Sequence, residues 1–318
     1  MSSALSKVTN AVKVRLMSTV VTRLVKAPDI ALTSRDVAAP ETVLVPTRHG
    51  PVRCFVTRAA ADAPLAAGGA LPPVHIHIHG GAFVVGAPRQ DDHLVRGIAG
   101  EVGATVVSID YSTAPKARYP RAHEECSDVL RWVQSSGGTM GWDATRVSIG
   151  GISAGGNLAL GALELARRAG DPALRAGVLV VPSVDQTIPA EEYGSPLPPS
   201  ADGHVDKPFV TPSMVRLVQL NYFADASRRT EPLASPVLLG DEEIAALPPL
   251  LVVTAERDSI RPQDERFIEK ARRGGASVVD RCISGVDHGF PQSSKKENEA
   301  AVRELAELVR IHLTEHLA

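Results

Sequence analysis

From residue 74 onward, short runs of aliphatic and β-branched residues alternate with longer stretches of helical periodicity, and this alternation restricts the fold more than any other property of the chain. Strands are expected at 74–78, 104–109, 146–150, 177–181, 250–254 and 277–283, and helices at 91–101, 121–135, 155–169, 261–273 and 294–316. Short strands joined through helices make right-handed crossovers and a sheet covered on both faces. The expected class is therefore α/β with a largely parallel sheet. Upstream, Thr42-Val43-Leu44-Val45-Pro46 and Val52-Arg53-Cys54-Phe55-Val56 flank a turn at 47–51 and read as a hairpin. Residues 60–73, rich in Ala, Gly and Pro, read as a surface connector.

One segment interrupts the alternation. Residues 183–248 are Pro-rich early on (Pro189, Pro196, Pro198, Pro199, Pro208, Pro212) and carry one amphipathic helix near 211–223. Long insertions at the C-terminal edge of a parallel sheet sit over the ligand site, so this one reads as half of a cap, with the N-terminus as the other half. The expected division is 1–40 as the N-terminal helical part of the cap, 41–184 as the first part of the core, 185–225 as the cap insertion and 226–318 as the second part of the core.

Within this frame one junction carries chemistry. The strand run Arg146-Val147-Ser148-Ile149-Gly150 passes into Gly151-Ile152-Ser153-Ala154-Gly155 and then into Gly156-Asn157-Leu158-Ala159, which opens a helix. A serine between glycines on a strand-to-helix turn is the G-x-S-x-G pattern of an exposed nucleophile. The helix N-terminus points its free N–H groups and the positive end of its dipole at the serine oxygen. A serine hydroxyl needs a base, and the base needs an orienting carboxylate. Asp258 follows one expected strand and His288 the next, both at the sheet edge that holds Ser153 and in the chain order Ser, Asp, His. Glu256 competes as the acid but lies nearer its strand end and reads as structural. Asp287, adjacent to His288, is badly placed to orient that ring and reads as a solvated turn residue. His93, His123, His312 and His316 fall in expected helices as packing or surface residues, and His204 is a loop residue of the cap.

The second requirement is a set of backbone N–H groups aimed where negative charge develops. His79-Gly80-Gly81-Ala82-Phe83 follows the strand 74–78, and its paired glycines permit such a turn. With the N–H of Ala154, the residue after the nucleophile, Gly80 and Gly81 form a three-donor oxyanion hole. His75, His77 and His79 alternate and share one strand face, which raises a zinc reading. No carboxylate or thiol lies nearby in sequence, so core histidines are the preferred reading, and neither metal nor cofactor is expected.

Other classes find little support. The net charge is −2 and no basic run is interleaved with aromatics, which argues against nucleic acid. Cys54, Cys126 and Cys282 are odd in number and far apart, which suits a reducing, cytoplasmic setting. No apolar stretch is long enough to span a bilayer. Residues 6–26 carry Lys7, Lys13, Arg15, Arg23 and Lys26 without an acid, with Val8, Ala11, Val12, Leu16, Val20 and Leu24 at helical spacing. Packing on the protein itself is the preferred reading of this helix, with the membrane surface as the alternative.

Taken together, His79-Gly80-Gly81-Ala82-Phe83, Asp110-Tyr111-Ser112-Thr113-Ala114-Pro115 with Tyr119-Pro120, Gly151–Ala159, Leu247-Pro248-Pro249, Asp258 and His288-Gly289-Phe290 resemble the hormone-sensitive-lipase-like family of α/β-hydrolases, a group of serine carboxylesterases. The resemblance implies a mostly parallel eight-stranded sheet with helices on both faces and a helical cap. It implies Ser153 as nucleophile, His288 as general base and then acid, Asp258 as its orienter, and Gly80, Gly81 and Ala154 as the oxyanion hole. It also implies a small-molecule ester substrate and is compatible with a homodimer formed through an edge strand. The chain differs from the family pattern at Ile152 and Lys116, where acidic residues are common, and in Ser259-Ile260-Arg261-Pro262 after the acid.

The expected reaction is hydrolysis of short- to medium-chain acyl esters through an acyl-enzyme, with Phe83, Phe209, Met214, Leu217, Val218 and Tyr222 lining the substrate pocket. Activity should fall below about pH 6–7, where an ordinary imidazole protonates. An amidase, lactonase or acyltransferase would use the same triad. A non-catalytic ligand-binding protein on this scaffold would be expected to have lost a triad member. A membrane-surface lipase would depend on residues 6–26.

Overall fold

The computed structural model describes residues 27–194 and 207–318. The basic stretch 6–26, His204, Pro196, Pro198 and Pro199 lie outside the described residues. The strands are β1 Glu41–Val45, β2 Val52–Thr57, β3 Val74–Ile78, β4 Thr105–Asp110, β5 Val147–Ile152, β6 Ala176–Val180, β7 Leu250–Ala255 and β8 Val278–Ile283. They form one eight-stranded sheet in the order β1-β2-β4-β3-β5-β6-β7-β8. The hairpin β1–β2 is antiparallel, as is the pairing of β2 with β4; all other pairings are parallel. Every residue of β3, β5, β6 and β7 is buried, which is why these strands read as continuous rather than alternating apolar runs. β8 closes one edge, and its middle exposes Asp280 and Arg281, charges that discourage further strand addition.

Six helices matter for the site: α1 Asp92–Gly97, α2 Arg121–Ser135, α3 Ala154–Ala169, α4 Pro212–Tyr222, α5 Arg261–Arg273 and α6 Glu299–Leu317. α2, α3 and α5 cover one face of the sheet through Leu130, Leu158 and Phe267, and α1 and α6 cover the other through Leu94, Leu305 and Val309. The α/β layering expected from the sequence is thus the observed one. α4 lies in the inserted segment. It begins where its residues dictate, with the Thr211 hydroxyl accepting from the Met214 N–H at 3.3 Å and Pro212 in the first turn.

The differences are local. The helix expected at 91–101 runs as α1 and then widens into a π turn at Ile98–Val102, and the helix expected from 294 starts at Glu299, behind a 3₁₀ turn. Short helices at Gly137–Met140 and Asp241–Ala245 were not expected, because fewer than two turns leave no measurable period. Residues 27–40, expected in a helical cap, contain no helix. They cross the π turn instead: Thr33 and Arg35 both donate to Glu101 at 2.6 Å, and Arg96 donates to the Val37 carbonyl at 2.8 Å. These side-chain bonds hold the segment extended on the α1 face of the core.

At the turn from β5 into α3 the backbones touch. A Cβ on Gly155 would lie 1.9 Å from the Ile78 carbonyl oxygen, and one on Gly151 would lie 2.4 Å from the Gly155 carbonyl carbon. Only glycine fits, because any side chain would force β3, β5 and α3 apart. Gly155→Ala is expected to cost at least about 1–3 kcal/mol, the usual cost of overpacking. Urea denaturation followed by circular dichroism should show a lowered midpoint; an unchanged one would mean that these backbones separate freely.

Candidate active site

Ser153 sits at the sharpest point of the chain, with φ 56° and ψ −117°, a conformation that side chains avoid. It is held on both sides. Its N–H donates to the Val180 carbonyl at 2.9 Å, and its carbonyl accepts from Gly156, Asn157 and Ser183. The result is an Oγ raised above the C-terminal edge of the sheet. His288 Nε2 lies 2.8 Å from that Oγ, and His288 Nδ1 lies 2.6 Å from Asp258 Oδ2. Asp258 is fully buried, and its other oxygen accepts the Ile260 N–H at 3.0 Å, which turns the carboxylate toward the ring. An Nδ1–H held on a carboxylate leaves Nε2 free to accept a proton from the serine.

The loop after β3 approaches the same point. A Cβ on Gly80 would lie 3.6 Å from the Ser153 Cβ, and Gly81 adopts φ +127°. His79 braces this turn, with Nδ1 2.5 Å from the Gly80 carbonyl and its ring stacked on Tyr111 at 4.4 Å. Ala154 is the first residue of α3, so its N–H has no acceptor within the helix. Gly80, Gly81, Ala154, Ser153 and His288 all line one cavity of about 350 Å³. Of the residues expected to form the substrate pocket, Phe83, Phe209, Met214, Leu217 and Val218 also line it. Tyr222 does not reach it. That ring is buried behind Phe83, stacked at 4.2 Å, with its hydroxyl 3.1 Å from His123 Nδ1.

Residues 75–292 match the sequence pattern of the alpha/beta hydrolase fold family. The chain belongs to that family. Among its relatives, an arylesterase of Saccharolobus solfataricus is 29% identical over 228 residues, which is 71% of either chain. An ethyl acetate hydrolase of Pseudomonas putida is 30% identical over 261 residues, covering 80% of this chain and 76% of that protein. Among solved structures, carboxyl esterase 2 from the mycorrhizal fungus Tuber melanosporum superposes with a TM-score of 0.76 at 27% identity, over 92% of both chains. An esterase of Pyrobaculum calidifontis superposes with a TM-score of 0.75 at 29% identity, over 97% of this chain and 92% of that one.

Several residues of this alpha/beta hydrolase do more than their sequence positions suggest. Asp287 is not simply a solvated turn residue: Oδ1 accepts the His288 N–H at 2.6 Å and Oδ2 accepts the Phe209 N–H at 2.7 Å. Glu256 accepts the Gly285 N–H at 2.7 Å and so anchors the loop that carries His288. Asn157 donates to the Ser183 and Ala234 carbonyls and is 2.9 Å from His123 Nε2, tying α3 to α2 and to the two stretches that flank residues 185–225. Its position four residues after Ser153, on the same helical face, was the only available signal. His123 is a packing residue, and burial pushes its pKa down to about 4.

On the opposite face of the sheet, His75 and His77 line a second cavity of about 170 Å³. Burial lowers the pKa of His75 to about 3, and its Nδ1 lies 2.9 Å from the Ser148 hydroxyl. A carboxylate absent from the neighbouring sequence does approach in space: Asp91 Oδ2 is 2.9 Å from His77 Nε2, and Asp91 Oδ1 accepts from Gln292 at 2.7 Å. Among the described residues no group of three or more His, Cys, Asp or Glu is placed to hold a metal. Ile152, the apolar residue before Ser153, is buried in the cluster formed with Val178, Val180 and Phe290.

Asp264 in α5 is completely buried, and neither carboxyl oxygen has a hydrogen-bond partner. Burial raises its pKa well above the carboxyl range, and the Asp258 carboxylate adds to the rise. The stability this group contributes is full below its unfolded pKa, near about 4, and is lost as pH rises through the raised folded value. Asp264→Asn, which cannot ionise, should therefore gain thermal stability relative to wild type as pH increases. Calorimetric Tm differences at pH 5 and pH 8 check this, and a difference that shrinks with pH would contradict it.

Proposed function

We propose that this chain is a serine carboxylesterase that hydrolyses small-molecule esters through an acyl-enzyme. The observation that carries the reading is the unbroken hydrogen-bond chain Ser153–His288–Asp258 at the floor of an apolar cavity. Neutral His288 takes the Ser153 proton at Nε2 as Oγ bonds to the acyl carbon, and the carbonyl electron pair moves onto oxygen. The N–H groups of Gly80, Gly81 and Ala154 hold that oxyanion. Asp258 keeps the imidazolium in register. When the tetrahedral centre collapses, the bond to the alcohol oxygen breaks and His288 returns its proton to that oxygen. Water then repeats the attack, and the carboxylic acid leaves with Ser153 restored.

The relatives named as arylesterase, ethyl acetate hydrolase and carboxyl esterase support an ester rather than an amide as substrate. A cavity of about 350 Å³ is near the small end of ligand sites, roughly 300–1,000 Å³, which favours short to medium acyl chains. Among the described residues no helix is long and apolar enough to cross a membrane. The free thiols Cys54, Cys126 and Cys282 suit the cytoplasm. A homodimer would pair along the free sheet edge at β1, since the charges exposed on β8 oppose strand addition there.

A fluorophosphonate probe should label the wild-type protein and not Ser153→Ala. No labelling of wild type would remove the enzyme reading, and labelling that survives Ser153→Ala would remove this nucleophile. His288→Ala should lower kcat on p-nitrophenyl butyrate by at least about 10³-fold, the scale of a lost general base combined with a misdirected nucleophile. A matched panel of esters and amides read by initial rate separates an esterase from an amidase.

A further inference from the structure

Among the described residues, the cap bonds to the catalytic loops at Phe209 and Val210, and the bonds there are specific. Phe209 donates its N–H to Asp287 Oδ2 at 2.7 Å, and the carbonyl of the next residue, Val210, accepts from the Ser259 hydroxyl at 2.8 Å. Ser259 directly follows Asp258, and Asp287 directly precedes His288. The same Asp287 holds the His288 N–H with its other oxygen. Two consecutive cap residues are thus gripped by the immediate neighbours of the acid and the base.

This grip fixes a phenyl ring over the imidazole. The Phe209 ring lies 5.9 Å from the His288 ring at an interplanar angle of 25°. It fills the space over Gly289, where a Cβ would come within 2.8 Å of the phenyl carbons. Even so, the residue is 55% exposed, an unusual state for a phenylalanine held by its backbone in a defined position.

The chemistry of the proposed reaction says which part of a substrate meets it. His288 Nε2 must hand its proton to the leaving alcohol oxygen, so that oxygen lies within hydrogen-bond reach of Nε2. The alcohol substituent therefore extends past the imidazole, where Phe209, Val210, Ile260 and Gly289 line the cavity. A flat apolar alcohol would stack on the exposed phenyl face, whereas a small or polar one would leave that face uncovered.

We propose that Phe209 is the alcohol-side wall of the site and selects esters of flat apolar alcohols over those of small or polar ones, with Asp287 and Ser259 as positioning residues that hold it over His288. The inference rests on the esterase reading. Phenyl acetate and ethyl acetate test it with the full chain, because both pass through one acetyl-enzyme and differ only in the group that leaves. Phe209→Ala should lower kcat/KM for phenyl acetate about three- to tenfold more than for ethyl acetate, the scale of one aromatic contact. Hydrolysis of the shared acetyl-enzyme, read in pre-steady state, should slow by less than twofold, since the alcohol has already left. Ser259→Ala and Asp287→Ala should shift the phenyl-to-ethyl ratio in the same direction, and Ser259→Thr, which keeps the hydroxyl, should restore it.

Equal losses on both esters, or an unchanged ratio in Phe209→Ala, would overturn the inference. Fluorophosphonate labelling of the wild type separates the two layers. An unlabelled wild type takes the esterase reading and this one down together. A labelled wild type with an unchanged ratio overturns only the alcohol-side wall.

Discussion

Everything at this site depends on backbone meeting backbone where α3 leaves β5 beneath the end of β3. Gly151 and Gly155 have no room for a single carbon, and the turn between them can reverse only by placing Ser153 at positive φ. A serine so held stands clear of the sheet with a helix N-terminus behind it. The geometry that raises the Ser153 Oγ also places the Ala154 N–H beside it, so the proposed nucleophile and oxyanion donor come from one constraint rather than two.

The other two members of the proposed triad have a distance to cover. Neighbouring strands lie ~4.8 Å apart, so β7 is about 10 Å and β8 about 14 Å from β5 across the sheet. His288 reaches Ser153, and Asp258 reaches His288, only because their loops lean back toward β5. The supports for that lean are visible: the Gly285 N–H on Glu256, the Arg257 N–H on the Val286 carbonyl at 2.9 Å, and the Ile260 N–H on Asp258. These are bonds between the acid loop and the base loop, or within them. Each loop is therefore part of the other's scaffold.

What could be read from the sequence follows the same division between local and long-range causes. Fully buried strands announce themselves by composition, and the elbow, Asp258 and His288 stood at strand ends in a telling chain order, so the sheet and the grouping of Ser153, Asp258 and His288 were legible. Tyr222 has the spacing of a pocket residue, but the pull of His123 and the Phe83 ring turns it inward, and no periodicity encodes that. Residues 27–40 look like an approach to a helical cap, yet bonds to Glu101 and Arg96, some 60 residues away, lay them flat on the core. Asp287 reads as a turn residue from its place beside His288, and nothing local announces its partner Phe209, 78 positions away.

The attachment of the proposed cap at Phe209–Val210 bears on how such molecules diversify. A cap is often pictured as a module that can be exchanged over an unchanging core. Here the seam does not coincide with the boundary of the inserted segment: it runs through Ser259 and Asp287, which belong to the core by sequence and to the cap by bonding. A chimaera that imports a foreign cap while keeping these two residues carries the recipient's latch against the donor's strand. Descent by cap replacement would thus be expected to leave paired changes at positions 209–210, 259 and 287, written across three distant parts of one gene.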